Sequence, residues 1–232
     1  MCAAPLRRQL TRALVIAVVA VAATLTATTA ADAATLHFNR ACYVFFKHRP
    51  VVSVTGSGYG AGDVVDIESP SGFDLSLTAN GAGQIAGEGA APLPPLAAKA
   101  KRFTAKAIEF GAGGSEATVA TASSDVAAFA ASHGAGRHKA RGNRALAEKV
   151  KWAFSGFPVD RAIFGHYLYR GRLVTGQRFG RAKAPCGTLV VHKRGYPGDP
   201  HHSSYTVQLD GHENYSKKTE PQLRLKVELT IF

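Results

Sequence analysis

The sequence predicts an all-β chain: two immunoglobulin-like β-sandwich domains in tandem, preceded by a cleaved signal peptide. Three observations predict it. Short apolar–polar alternations of period two recur at close spacing, separated by Gly, Pro and Asn-Gly turns. No window of about fifteen residues carries a helical period. Hydrophobic residues make up 46% of the 232-residue chain, enough to fill real cores.

Residues 1–33 read as the export signal. Arg7, Arg8 and Arg12 form its positive start, 13–25 is an apolar run too short for a comfortable membrane span, and Ala31-Asp32-Ala33 supplies small residues ahead of cleavage before Ala34. Cys2 precedes the apolar run, so it is no lipoprotein acceptor and leaves with the signal. The mature chain keeps 199 of the 232 residues, room for two domains of about 90 each, and holds no transmembrane segment. Its address is extracytoplasmic. Cys42 and Cys186 remain, in a compartment where disulfides persist.

The first domain is expected over 34–130. Residues 37–46 suit an opening strand. In 52–67, valines alternate with polar residues on both sides of a glycine-rich turn, which reads as strand, reversal, strand. Gly56, Gly58 and Gly60 do not make a phosphate loop. A dinucleotide fingerprint runs from a strand into a helix, whereas a second β-branched alternation follows here, and no Gly-Lys-Ser/Thr occurs. Neither nucleotide nor any other cofactor is expected. Strands follow at 73–79, at 83–88 after an Asn80-Gly81 hairpin turn, at 103–110 and at 117–122, with Pro92, Pro94 and Pro95 in a loop.

Residues 131–147 change character, with Gly, His and four Lys/Arg and no alternation; they are expected to form a basic linker, either a solvated hinge or an arm contacting a polyanion. The second domain, 148–232, offers 150–154, a hairpin of 163–169 and 173–179 across Arg170-Gly171-Arg172, then 188–192, 204–209 and 223–231. In the last of these Leu223, Leu225, Val227, Leu229 and Ile231 alternate with polar residues. Phe154, Phe157, Ile163, Tyr167 and Tyr169 are expected in a sandwich core, not on a carbohydrate- or base-stacking platform.

Two segments carry a family resemblance. The V-x-V-x-G-x-G-Y-x-x-G-D-x-V run from Val52 to Val65 resembles the opening of immunoglobulin-like domains in secreted actinobacterial proteins. Phe154-Ser-Gly-Phe-Pro158, the run from Gly180 to Gly187 with its Pro-Cys-Gly, and Tyr205-Thr-Val-Gln-Leu-Asp210 resemble a companion domain of uncharacterised actinobacterial exported proteins. The resemblance implies an extracytoplasmic two-domain β protein and carries no activity or site.

Charge divides the chain. Residues 34–132 hold 7 Lys/Arg against 8 Asp/Glu, whereas 133–232 hold 18 against 7. Such asymmetry reports on partners, and the partner expected here is an anionic envelope polymer or another extracellular polyanion, met by Arg170, Arg172, Arg178, Arg181 and Lys183. No feature sets an oligomeric state. Catalytic equipment is not legible. Cys186 lacks a base at a diagnostic position, His192, His201, His202 and His212 lack the paired spacing of a zinc site, convergent carboxylates are missing, and no G-x-S-x-G elbow occurs. The expected function is non-catalytic binding or envelope association. A secreted enzyme, cysteine-based or a cell-wall hydrolase, is the alternative. Cys42 and Cys186 permit a single intramolecular pairing, which would clamp the two domains together.

Overall fold

The computed structural model describes residues 33–111, 114–134, 149–197 and 204–228, and every regular element in them is a β-strand. The first half contributes β1 (Thr35–Phe38), β2 (Cys42–Phe45), β3 (Val51–Ser57), β4 (Val64–Ser69), β5 (Phe73–Thr78), β6 (Gln84–Ala90), β7 (Ala100–Phe110) and β8 (Glu116–Ala128). The second contributes β9 (Ala130–His133), β10 (Lys149–Ser155), β11 (Ala162–Tyr169), β12 (Arg172–Arg181), β13 (Leu189–Arg194), β14 (Ser204–Asp210) and β15 (Leu223–Glu228). The export signal expected over 1–33 lies, apart from Ala33, outside the described residues, as do Leu229 and Ile231 of the last expected strand.

The two halves share one strand order. Sheet β1-β3-β6 packs on sheet β2-β8-β7-β4-β5, and sheet β9-β10-β13 packs on sheet β12-β11-β14-β15. When β1 and β3 to β8 are laid in sequence on β9 to β15, both sheets superpose strand for strand; β2 alone has no counterpart. Putting the second and fifth strands opposite the third, sixth and seventh is the immunoglobulin arrangement. Leu36, Val52, Val54 and Ile85 meet Tyr43, Ile67, Phe103 and Val126 in the first core. Trp152, Phe154 and Leu189 meet Ile163, Tyr167, Tyr205, Val207 and Leu209 in the second. The expected core aromatics are there: Phe154, Phe157, Ile163 and Tyr167 are buried, and Tyr169 packs half-buried against them.

Turn chemistry departs from expectation twice. The glycine-rich turn after β3 is no hairpin, because β3 pairs with β1 and β6 while β4 pairs with β5 and β7. The chain crosses between sheets there, pinned by Tyr59. Its hydroxyl donates to the Thr35 carbonyl at 2.8 Å and its N–H to Gly83 O at 3.1 Å. A side chain at Gly56 would strike that carbonyl and the Tyr59 ring, so only glycine fits. The Asn80-Gly81 turn is likewise a crossing, since β5 and β6 lie in different sheets. The Asn80 Oδ1 accepts from the N–H groups of Ala82 (2.9 Å) and Gln84 (3.0 Å), and the left-handed residue is Gly83, not Gly81. The β11–β12 turn is the expected one. Arg170 and Gly171 sit at φ 47° and 78°, the two positive values that a two-residue type I′ reversal requires.

The segment expected as a linker, 131–147, begins as strand. Ala130–His133 pairs antiparallel with β10, with Ala130 opposite Ser155 and His133 opposite Trp152, so 134–148 joins two neighbouring strands of one sheet. Between β8 and β9 stands a single residue, Phe129. Its ring packs 4.7 Å from Phe157 and 5.0 Å from Phe46 in the second core. The described residues belong to one compact unit.

The strand without a counterpart holds the halves together. β2 runs parallel to β8, and its period of two sends Tyr43 and Phe45 into the first core and Val44 and Phe46 into the second. Cys42 is bonded to Cys186 in the second half, with Cα atoms 5.3 Å apart across 144 residues of sequence. Gly187, next in the chain, has φ 59°, and a side chain there would overlap the Phe157 backbone. The Pro-Cys-Gly run is therefore a packed junction.

Candidate polyanion-binding surface

The five sequence-predicted cations are all exposed but do not form one patch. β12 is an edge strand, and from Arg172 to Arg181 it spans roughly 30 Å at the usual strand rise. Arg170 lies at the turn, its guanidinium 5.2 Å from the Tyr169 ring. Arg178 stands opposite Phe164 on the outer face, Arg181 donates to the Asp160 carbonyl at 3.0 Å, and Lys183 pairs with Thr188 in the turn before Cys186. Cations on an edge strand also keep it from pairing with another chain.

A denser group sits on the smaller sheet, where no sequence pattern marks it. On sheet β9-β10-β13, Trp152, Phe154 and Leu189 face the core, so the alternate residues face out. Register places Lys149 directly opposite Arg194, and Lys151 directly opposite His192. All four are exposed, and the next row holds Ala153 opposite Val190, itself 57% exposed. None of the three strands carries an acidic residue. Among the described residues, no carboxylate pairs with Lys149, Lys151 or Arg194.

The outer face of sheet β12-β11-β14-β15 is organised in rows. One row reads His166, Gln208, Arg224 and the next Leu168, Thr206, Lys226. Asp210 lies beside the first, opposite Phe164. Residues 211–222 connect β14 to β15 and seal part of this face, leaving His166, Gln208 and Asp210 buried. Their polar groups are matched. Asp210 accepts from the His212 N–H (2.9 Å) and from Gln208 Nε2 (2.9 Å), and His166 Nε2 lies 3.1 Å from the His212 carbonyl and 3.4 Å from Asp210 Oδ1. Gln208 Nε2 also donates to the Ser216 carbonyl at 2.8 Å, and its Oε1 accepts from the Arg224 guanidinium at 3.3 Å. A buried hydrogen-bonded network of this kind fixes the fold of its connection.

Beyond the sealed part the face opens into a groove of about 380 Å³, with Arg170, Arg224 and Lys226 among its walls and Ser204 and Thr206 along it. Lys226 Nζ is 2.7 Å from Glu228, whose carboxyl it holds below the usual range. His192 lies on the basic face, and His212 serves the network through its backbone. His201 and His202 fall outside the described residues, and the described ones hold no group of three candidate metal ligands. Among the described residues no helix is long and apolar enough to cross a membrane. Cys186 is 1% exposed and its sulfur is engaged in the disulfide.

Fold and surface together define an all-β protein of immunoglobulin-like sandwiches with its cations gathered on the second. No protein-family model and no curated protein matches the chain. Among solved structures, a tetra-tandem repeat from the extending region of a large adhesion protein aligns at 11% identity and a TM-score of 0.29, covering 84% of this chain and 48% of its own. The chain thus spans less than half of that structure's length. A DUF3823 family protein from Bacteroides ovatus aligns at 9% identity and a TM-score of 0.24, covering 85% of this chain and 99% of its own. Scores this low assign neither fold nor role.

Proposed function

We propose that the chain is a secreted, non-catalytic protein whose basic second half attaches it to an anionic polymer of the cell envelope or to another extracellular polyanion. The observation that carries this reading is the pairing of Lys149 with Arg194 and Lys151 with His192 on a face without acids. Like charges directly opposite across strands are destabilising. An external anion removes that cost. Arg172, Arg178 and Arg181 on the edge strand, with Arg170 and Lys183 at its ends, extend the same field around the half. The disulfide supports an extracytoplasmic address, because such bridges persist in oxidising compartments.

A cysteine hydrolase would need a free thiolate, and Cys186 is bridged. The His166–Asp210 pair is 3% and 0% exposed at its side chains, closed to a substrate.

The test uses the intact chain after signal removal on immobilised heparin and on immobilised poly(glycerol phosphate). Retention should fall steeply as salt rises, since the screening length shrinks to about 10 Å at 0.1 M. Lys149→Gln with Lys151→Gln should weaken binding by roughly thirtyfold, at about 1 kcal/mol per cation near an anionic surface. Unchanged retention of that double variant, or retention insensitive to salt, would overturn the proposal.

A further inference from the structure

The outer-face groove differs from the basic face in kind. Its cations are held in place. Arg224 is exposed on the edge strand β15, yet one of its N–H groups is committed to Gln208 Oε1 at 3.3 Å. Gln208 is wholly buried and anchored through its Nε2 to Asp210 at 2.9 Å and to the Ser216 carbonyl at 2.8 Å. A guanidinium offers five N–H donors in a planar fork, so the remaining ones stay available at a fixed position. Arg170 is fixed in a second way, by its turn at φ 47° and its seat over the Tyr169 ring at 5.2 Å. Lys226 stands beside Thr206 in the row next to Arg224, and Ser204 adds a second hydroxyl. Lys226 shares its charge with Glu228, which leaves Arg170 and Arg224 as the principal cations.

From this arrangement we infer that the groove is a binding site for a tetrahedral oxyanion ester, a phosphate or sulfate carried on a sugar or polyol, with Arg170 and Arg224 taking the anion and Ser204 and Thr206 the hydroxyls of its carrier. Two cations on the walls of one groove, with hydroxyl donors and acceptors along it, match such an ester. Nucleic acid fits poorly, because base stacking needs an open aromatic face, whereas Tyr205 is buried and Tyr169 is half-buried with Arg170 over it. Positions held before binding lose little freedom on binding, so a single group can be recognised where a flat charged face only concentrates polymer.

The inference rests on the polyanion reading and gives it a seat, and the two can fail separately. The experiment titrates the intact chain with inorganic phosphate, a glycerol-phosphate trimer and a sulfated disaccharide, following backbone and guanidinium signals by NMR. Shifts should centre on Arg170, Thr206, Arg224 and Lys226, and the two esters should bind more tightly than free phosphate. Arg224→Lys keeps the charge but loses the planar fork, so it should weaken ester binding by about tenfold. Thr206→Val, at an exposed position, should weaken the esters but not inorganic phosphate. The stronger of the two esters names the source. Shifts confined to β10 and β13, or equal ester affinity in Arg224→Lys, would overturn the groove while leaving the polymer reading intact. Column binding that fails in the wild type while the esters still shift the groove would overturn the polymer reading alone.

Discussion

The halves of this molecule repeat one strand order and use it differently. On the larger sheet of the first half, the outer face carries Asp66, Glu68 and Asp74, with Glu68 directly opposite Asp74 but also opposite Lys106, so the like pair has a counter-charge in its own row. On the basic face of the second half, the like pair Lys149/Arg194 has none among the described residues. The connections differ too. Five residues separate β7 from β8, whereas the equivalent β14–β15 connection, 211–222, folds over its own sheet and buries His166, Gln208 and Asp210. Topology settles which strands are neighbours. What a face does is decided by connection length and charge, the sense in which function is grafted on a fold.

The sharpest test of how separate the halves are is the disulfide. Cys42→Ser with Cys186→Ser opens a 144-residue loop, worth about 5 kcal/mol in the chain-entropy model. Chemical denaturation should show a much lower midpoint and still a single transition, because β2 belongs to both cores. Two resolved transitions would mean that the cores melt independently. Next in size is the sealed network, which the first half lacks. Asp210→Ala strips an acceptor from buried donors and should destabilise by about 3 kcal/mol, whereas Glu68→Ala, exposed on the first half, should stay within about 0.5 kcal/mol. Equal effects would erase the distinction between the two faces.

The smallest effect concerns Tyr59 at the first half's crossing turn. Burial pushes its hydroxyl from 10.0 up to about 12, with Glu109 adding to the shift. A raised acid pKa contributes stability that is complete below pH 10.0 and is lost as pH climbs toward about 12, since the unfolded chain ionises first. Tyr59→Phe should cost about 1 kcal/mol at neutral pH, for the lost bond to the Thr35 carbonyl, and should flatten part of the alkaline decline. An unchanged alkaline profile would show that Tyr59 is not the group responsible.

Strands were legible because a half-buried strand must alternate, and the run from Leu223 to Val227 does so openly. Pairing was less legible. Asn80-Gly81 suits a hairpin and a crossing equally in local terms, and what separates β5 from β6 is the distant packing of Tyr59 against Thr35 and Gly83. The basic run after residue 134 has a composition common to linkers and to loops within a sheet. The small residues Ala130, Ala131 and Ser132 gave no strand signal of their own, yet they pair with β10.

Of the surface, Arg170 was legible as a turn cation. Lys149, Lys151, Arg224 and Lys226 were not, because grouping them requires the register. A trace of the sealed network did exist in the sequence. Thr206, Gln208 and Asp210 alternate with Tyr205, Val207 and Leu209, followed by a long connection able to cover them.

The shared strand β2 also bears on the order in which the molecule can be finished. Chains are made from the N-terminus, and domains ordinarily fold as they emerge. Here Tyr43 and Phe45 find their neighbours once β7 and β8 have arrived, but Val44 and Phe46 wait for most of the second core, and the Cys42 thiol waits for Cys186. During that interval a nearly complete first sandwich displays an apolar seam and an unpaired thiol side by side. A holding chaperone or a thiol oxidase would find its handle there, and lose it when the bridge closes.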